Sequence, residues 1–213
     1  MSPTSAPKLR FYSNPMSRAR MVHWMLQECD AEYETITLDY GPPMKSAQYL
    51  AINPMGKVPA LQHGDTVVTE TGAILAYLAE LYPEKQLAPA MGSPERGSYL
   101  RWLFFVAGPV EAVSTAKTEG WLNGQTPQQA VTAGFGRFDD VVATLLHAVR
   151  GKQYVCGTHF TAADLYLASY LGWSMQQGTL PTLPEFSAYA LPLLARPASA
   201  RADALDGPLE QLA

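Results

Sequence analysis

The chain has 213 residues, of which 47% are hydrophobic and 16% charged, and its formal net charge is -4. That is ample apolar material for a packed core and excludes an intrinsically disordered chain. The few Lys and Arg are scattered, which argues against nucleic acid or an anionic membrane as the main partner.

Cys29 and Cys156 are the only cysteines. They form no CxxC pair and no ligand cluster with His23, His63, His147 or His159, which sets aside a disulfide framework and a metal site. A reducing, cytoplasmic setting follows from the same usage. The opening MSPTSAP has no basic or apolar signal region and reads as a frayed tail. No apolar run approaches the roughly 18 residues that a membrane helix needs.

Leu9–Tyr12 reads as a strand ending at the turn cluster Ser13-Asn14-Pro15. Val22, Met25, Leu26 and Cys29 follow at helical spacing. Tyr33–Leu38 alternates as a strand, Gly41-Pro42-Pro43 breaks it, and Ala47–Ile52 is a short helix. Val58–Gln62 and Thr66–Val68 flank His63-Gly64-Asp65 as a hairpin. Thr71, Ile74, Leu75, Leu78 and Leu81 then share one face of a helix that Tyr82-Pro83 ends. This order makes a small mixed sheet covered by helices.

Pro83–Gly97 is rich in Pro and Gly and reads as a linker. Beyond it the pattern is helical throughout. Tyr99–Glu119 is a long apolar helix bent at Gly108-Pro109. Pro127–Val149 is amphipathic, with Phe135, Phe138, Val142, Leu145 and Leu146 on its apolar face. Thr161-Ala162-Ala163-Asp164 is a capping box opening a helix apolar nearly all round through Met175, and Pro184–Ala195 is a weaker helix. The expected division is an α/β domain at 1–83, a linker at 84–97 and an all-helical domain at 98–213.

Three segments carry chemistry. In NPMGKVPAL (residues 53–61), Pro59 cannot donate to a β-ladder. A cis Val58–Pro59 bond would leave the Val58 backbone open to a peptide-like ligand, and an ordinary turn into a strand is the plainer reading. In Thr69-Glu70-Thr71, a helix start suits a carboxylate, and Glu70 beside it suits an ammonium. Simple helix capping by Thr69 and Glu70 explains the same residues. In Tyr12–Arg20 a strand, a turn and a helix start again favour an anion, with Ser17 or Asn14 doubling as the cap.

In combination, the Ser-containing turn, NPMGKVPAL, TETGAILAYLAELYP and the T-x-x-D box resemble the glutathione transferase family over about residues 9–202. The resemblance implies a thioredoxin-like first domain, an all-helical second domain and a homodimer. Val58 and cis-Pro59 would grip the cysteinyl backbone of glutathione, and Glu70 and Thr71 its γ-glutamyl end. Lys45 or Lys57 would meet its glycyl carboxylate. Tyr12, Ser13, Asn14 and Ser17 compete for the thiol-activating position, and Ser17 fits best because it stands just before the helical pattern. The implied acceptor pocket lies between this turn and the first long helix of the second domain, lined by Tyr12, Met16, Tyr99, Trp102, Phe105 and Trp173. The implied reaction conjugates glutathione to a small apolar electrophile, as in detoxification, with no metal. Glutathione-dependent disulfide or peroxide reduction and a non-catalytic binding protein are the two alternatives.

Overall fold

The computed structural model describes residues 8–209, so the tail expected at 1–7 lies outside the described residues. The chain divides into two compact units, residues 1–85 with 197–213, and residues 86–196.

The first unit runs β1 (Leu9–Ser13), α1 (Ala19–Glu28), β2 (Tyr33–Thr37), α2 (Ala47–Leu50), β3 (Ala60–His63), β4 (Thr66–Thr69) and α3 (Thr71–Leu81). The strand order is β2-β1-β3-β4. β1 pairs parallel with β2 and antiparallel with β3, and β3 pairs antiparallel with β4. This is the thioredoxin-like arrangement expected from the sequence. Successive side chains of β1 point to opposite faces. Phe11 packs beside the His23 ring of α1, at 5.5 Å between centroids, whereas Tyr12 lies 5.5 Å from the Tyr49 ring of α2. The α1 side holds Phe11, Val22, Met25, Leu26, Ile74, Leu75 and Leu78, all fully buried.

The second unit is helical: α4 (Pro94–Phe105), α5 (Glu111–Thr118), α6 (Pro127–Thr132), α7 (Phe138–Val149), α8 (Ala162–Gln176) and α9 (Pro184–Leu194). The bend expected at Gly108-Pro109 is a π-helical turn over Val106–Val110 that joins α4 to α5, with Pro109 inside it. Proline cannot donate the helical bond, and the wider turn absorbs the defect. α4 begins at Pro94, so the expected linker ends sooner than read, because a proline at the first helical position suits a helix start. The single helix expected over 127–149 is two helices, parted by a stretch that carries Gly134 and Gly136, the latter at φ 70°. The face of α7 is also turned: Val141, Leu145, Ala148 and Val149 are buried, not Val142 and Leu146.

α8 is buried along most of its length, as its all-round apolar pattern requires. Its capping box is formed, and Asp164 is fully buried. The carboxylate accepts from Val155 N at 2.7 Å, Thr161 N at 2.9 Å, Thr161 Oγ1 at 2.9 Å and Tyr189 Oη at 2.7 Å. Burial pushes its pKa up against those bonds, which pull it down.

A last helix, α10 (Pro197–Asp206), packs on α1 within the first unit, so 98–213 is not one continuous domain. Ala198, Ser199 and Ala202 are its buried face, and polar bonds tie it to α1. Arg20 donates to the Asp203 carboxylate and the Gly207 carbonyl, each at 2.9 Å, and His23 Nδ1 meets Asp206 at 2.8 Å.

Candidate functional site

Strand register decides where the three chemical segments meet. Tyr12 pairs with Ala60, and Ala60 pairs with Thr69. The end of β1, the start of β3 and the end of β4 therefore lie at one end of the sheet. The turn Ser13–Ser17, the segment Lys57–Pro59 and the pair Glu70-Thr71 all leave the sheet there.

Val58–Pro59 is cis. Among the described residues, Val58 makes no backbone hydrogen bond, so its N–H and C=O are open to an extended ligand. The peptide just before it is fixed from two sides. Tyr49 Oη donates to the Lys57 carbonyl at 2.6 Å, and Asn53 Nδ2 donates to the same oxygen at 2.7 Å. Asn53 Oδ1 also accepts from Met55 N at 3.0 Å. The sequence reading assigned no role to Tyr49 or Asn53. The Asn before Pro54 was a usable signal, since asparagine favours a turn that its own side chain closes. Burial pushes the Tyr49 phenol up to about 12.

Glu70 precedes α3 with φ 67° and ψ 122°, a conformation that is costly for a residue with a side chain. Its carboxylate forms no cap on α3, which removes the capping explanation for this residue. Glu70 is exposed, Thr71 is buried beside it, and the first N–H groups of α3 point out of the helix. Lys45 is exposed, and its ammonium donates to the Met55 carbonyl at 2.7 Å. Lys57 is exposed as well.

In the turn, the four candidate side chains differ in what they are already doing. Tyr12 is buried, and its hydroxyl donates to Gln62 Oε1 at 3.1 Å. Asn14 donates to the Leu38 carbonyl at 2.8 Å and accepts from Met16 N at 2.9 Å. Ser13 is buried in β1. Ser17 is half-buried just ahead of α1, its Oγ donating to the Asn14 carbonyl at 2.7 Å and accepting from Ala19 N at 3.1 Å. Tyr12, Asn14 and Ser17 are thus all held by hydrogen bonds, and of the four candidates only Ser17 is half-buried, at the start of α1.

The expected acceptor-pocket residues divide between the units. Tyr12 and Met16 belong to the first, and Tyr12 packs in a small core with Met44, Tyr49 and Ala60. Tyr99, Trp102, Phe105 and Trp173 belong to the second. Tyr99 and Trp102 are buried, Trp102 packing edge-on against Phe105 at 5.7 Å, and Phe105 and Trp173 are half-buried.

Comparison with known proteins gives this geometry a family. Residues 7–80 match the glutathione S-transferase N-terminal domain, and residues 97–197 match the C-terminal domain. The chain belongs to the glutathione S-transferase family. This transferase is 27% identical to glutathione S-transferase GstA of Escherichia coli O157:H7 over 172 residues, 78% of this chain and 82% of the relative. It is 31% identical to a solved glutathione transferase of Methylococcus capsulatus, with a TM-score of 0.74 over 93% of this chain and 98% of the other. A sphingomonad glutathione S-transferase, solved in complex with glutathione, is 28% identical with a TM-score of 0.73, over 93% of this chain and 98% of the other. The transferase therefore has the family's glutathione-binding fold. No helix among its described residues is long and apolar enough to cross a membrane.

Proposed function

We propose that this transferase binds reduced glutathione at the sheet end and delivers its thiolate to a small apolar electrophile. The observation that carries the reading is the meeting of an open Val58 backbone, an uncapped Glu70 carboxylate and the Ser17 turn at one end of the sheet. In this reading Val58 pairs with the cysteinyl backbone as an added strand would. The Glu70 carboxylate takes the α-ammonium, and the α3 start with Thr71 takes the α-carboxylate. Lys45 and Lys57 serve the glycyl carboxylate, and Lys45 must first leave the Met55 carbonyl. Ser17 activates the thiol, and Tyr12, Met16, Tyr99, Trp102, Phe105 and Trp173 contribute to acceptor recognition.

A free thiol has a pKa of about 8.5, so only about 3% is thiolate at pH 7. A hydroxyl donor and the N-terminus of α1 both favour the charged form. The turn holds no cysteine, so the sulfur chemistry is that of glutathione itself. We further propose a cytoplasmic homodimer engaged in detoxification, with neither nucleic acid nor membrane as partner. Leu100 and Phe104, one turn apart on α4 and 40% and 73% exposed, are apolar surface that a second subunit would cover.

The purified protein is tested for conjugation of a model aryl halide beside glutathione-dependent disulfide reduction. Conjugation is expected to dominate. Reduction alone would replace the conjugation reading, and light scattering that finds a monomer at micromolar concentration would contradict the dimer. Ser17→Ala is expected to raise the bound thiol pKa by roughly 1–2 units.

A further inference from the structure

Tyr40 lies in no motif, yet it reaches the thiol-site turn. Its hydroxyl donates to the Met16 carbonyl at 3.0 Å, the oxygen of the peptide that joins Met16 to Ser17. The residue is 57% exposed. Ser17 donates its hydroxyl proton to the Asn14 carbonyl at 2.7 Å, so it too must turn from a local bond to reach a sulfur. The Tyr40 and Ser17 hydroxyls thus both border the Met16–Ser17 peptide, at the turn read as the thiol site.

We propose that Tyr40 is a second catalytic hydroxyl, which leaves the Met16 carbonyl when glutathione binds and donates to the thiolate that Ser17 faces. The proposal rests on the reading of this turn as the thiol site. A phenol, with an ordinary pKa near about 10, is a far more acidic donor than an aliphatic hydroxyl. Burial pushes the Tyr40 phenol above its ordinary value, while the Arg18 charge and a polar contact with Ser17 pull it back. It therefore keeps its proton at neutral pH and has it to donate. The Arg18 charge beside it favours an anion at the same spot.

The test compares wild type, Tyr40→Phe, Ser17→Ala and the double variant, all with saturating glutathione. The thiol is followed by thiolate ultraviolet absorbance and by the pH–rate profile. Tyr40→Phe is expected to raise the bound thiol pKa by about 1–2 units and to lower kcat at neutral pH several-fold. Its KM for glutathione should stay within about threefold, and the deficit should close at alkaline pH. The double variant should titrate higher than either single one. A Tyr40→Phe enzyme that titrates as wild type overturns the proposal. So does one in which only KM and the unfolding midpoint move, for then the phenol merely ties down the turn. A normal profile for Ser17→Ala beside a shifted one for Tyr40→Phe would keep Tyr40 as donor and displace Ser17. A wild-type enzyme whose bound thiol titrates like free glutathione would remove the Ser17 reading, and Tyr40 with it.

Discussion

Gly56 and Met44 are packed so closely that a β-carbon on Gly56 would stand 2.5 Å from the Met44 carbonyl oxygen. Gly56 also has φ +57°. The two constraints act together, because the side chain would be strained by its own backbone and blocked by another. Gly56→Ala is expected to cost about 1–3 kcal/mol, read as a lower urea midpoint. Because Lys57–Pro59 follows directly, glutathione affinity should fall as well. An unchanged midpoint would show that the segment 53–59 adapts freely.

Glu70 combines a costly backbone with an unsupported side chain, so its stability and binding roles can be separated. Glu70→Ala should weaken glutathione binding by about tenfold to a hundredfold, the loss of one charge-assisted contact. Glu70→Gly should bind as poorly but fold better than Glu70→Ala by about 1–2 kcal/mol, because glycine accepts φ 67°. Calorimetry and urea unfolding read the two effects. Undiminished affinity in both variants would sink the clamp.

Asp164 holds three donor groups of the loop before α8 and the Tyr189 hydroxyl of α9. Asp164→Ala strands all of them inside the second unit. The expected loss is about 3–5 kcal/mol, and Tm should fall by roughly 6–20 °C. A drop of only about 1 °C would mean that water satisfies these groups.

Alkali should destabilise the fold before any acceptor chemistry is considered. Burial lifts Cys29 and Cys156 from 9.0 to about 12, and Tyr49 from 10.0 to about 12. Between the ordinary and the raised value each group keeps its proton when folded and loses it when unfolded. Its contribution is therefore whole below the ordinary value and is lost as pH climbs towards about 12. Each contributes a slope of up to about 1.4 kcal/mol per pH unit. Urea midpoints measured from about pH 8 to about pH 11 should decline, and Cys156→Ala should flatten the slope. A level profile would contradict the burial of these groups.

Much of the fold was legible because hydrophobic periodicity reports packing directly. The strands of the first unit and α3 follow their apolar residues, and the capping box of α8 is written in Thr161 and Asp164. The split of α6 from α7 was missed because the apolar spacing runs on through Gly134 and Gly136, while backbone conformation does not. α10 left no hydrophobic stripe at all, since Ala198, Ser199 and Ala202 are its buried residues and polar bonds from Arg20 and His23 tie it down. At the site, the motif located Val58, Glu70 and the turn. It could not reveal the φ of Glu70, the two donors on Lys57 or the reach of Tyr40, since these depend on partners distant in sequence or on backbone angles.

The partners of Arg20 and His23 on α10 leave the ribosome 183 residues after them. At roughly 5–20 residues per second, α1 waits on the order of ten seconds for Asp203 and Asp206 to emerge. The helical unit, unbroken in sequence, is complete before then. The half translated first is thus the half that waits for its last helix, and a message truncated ahead of codon 197 strikes that unit.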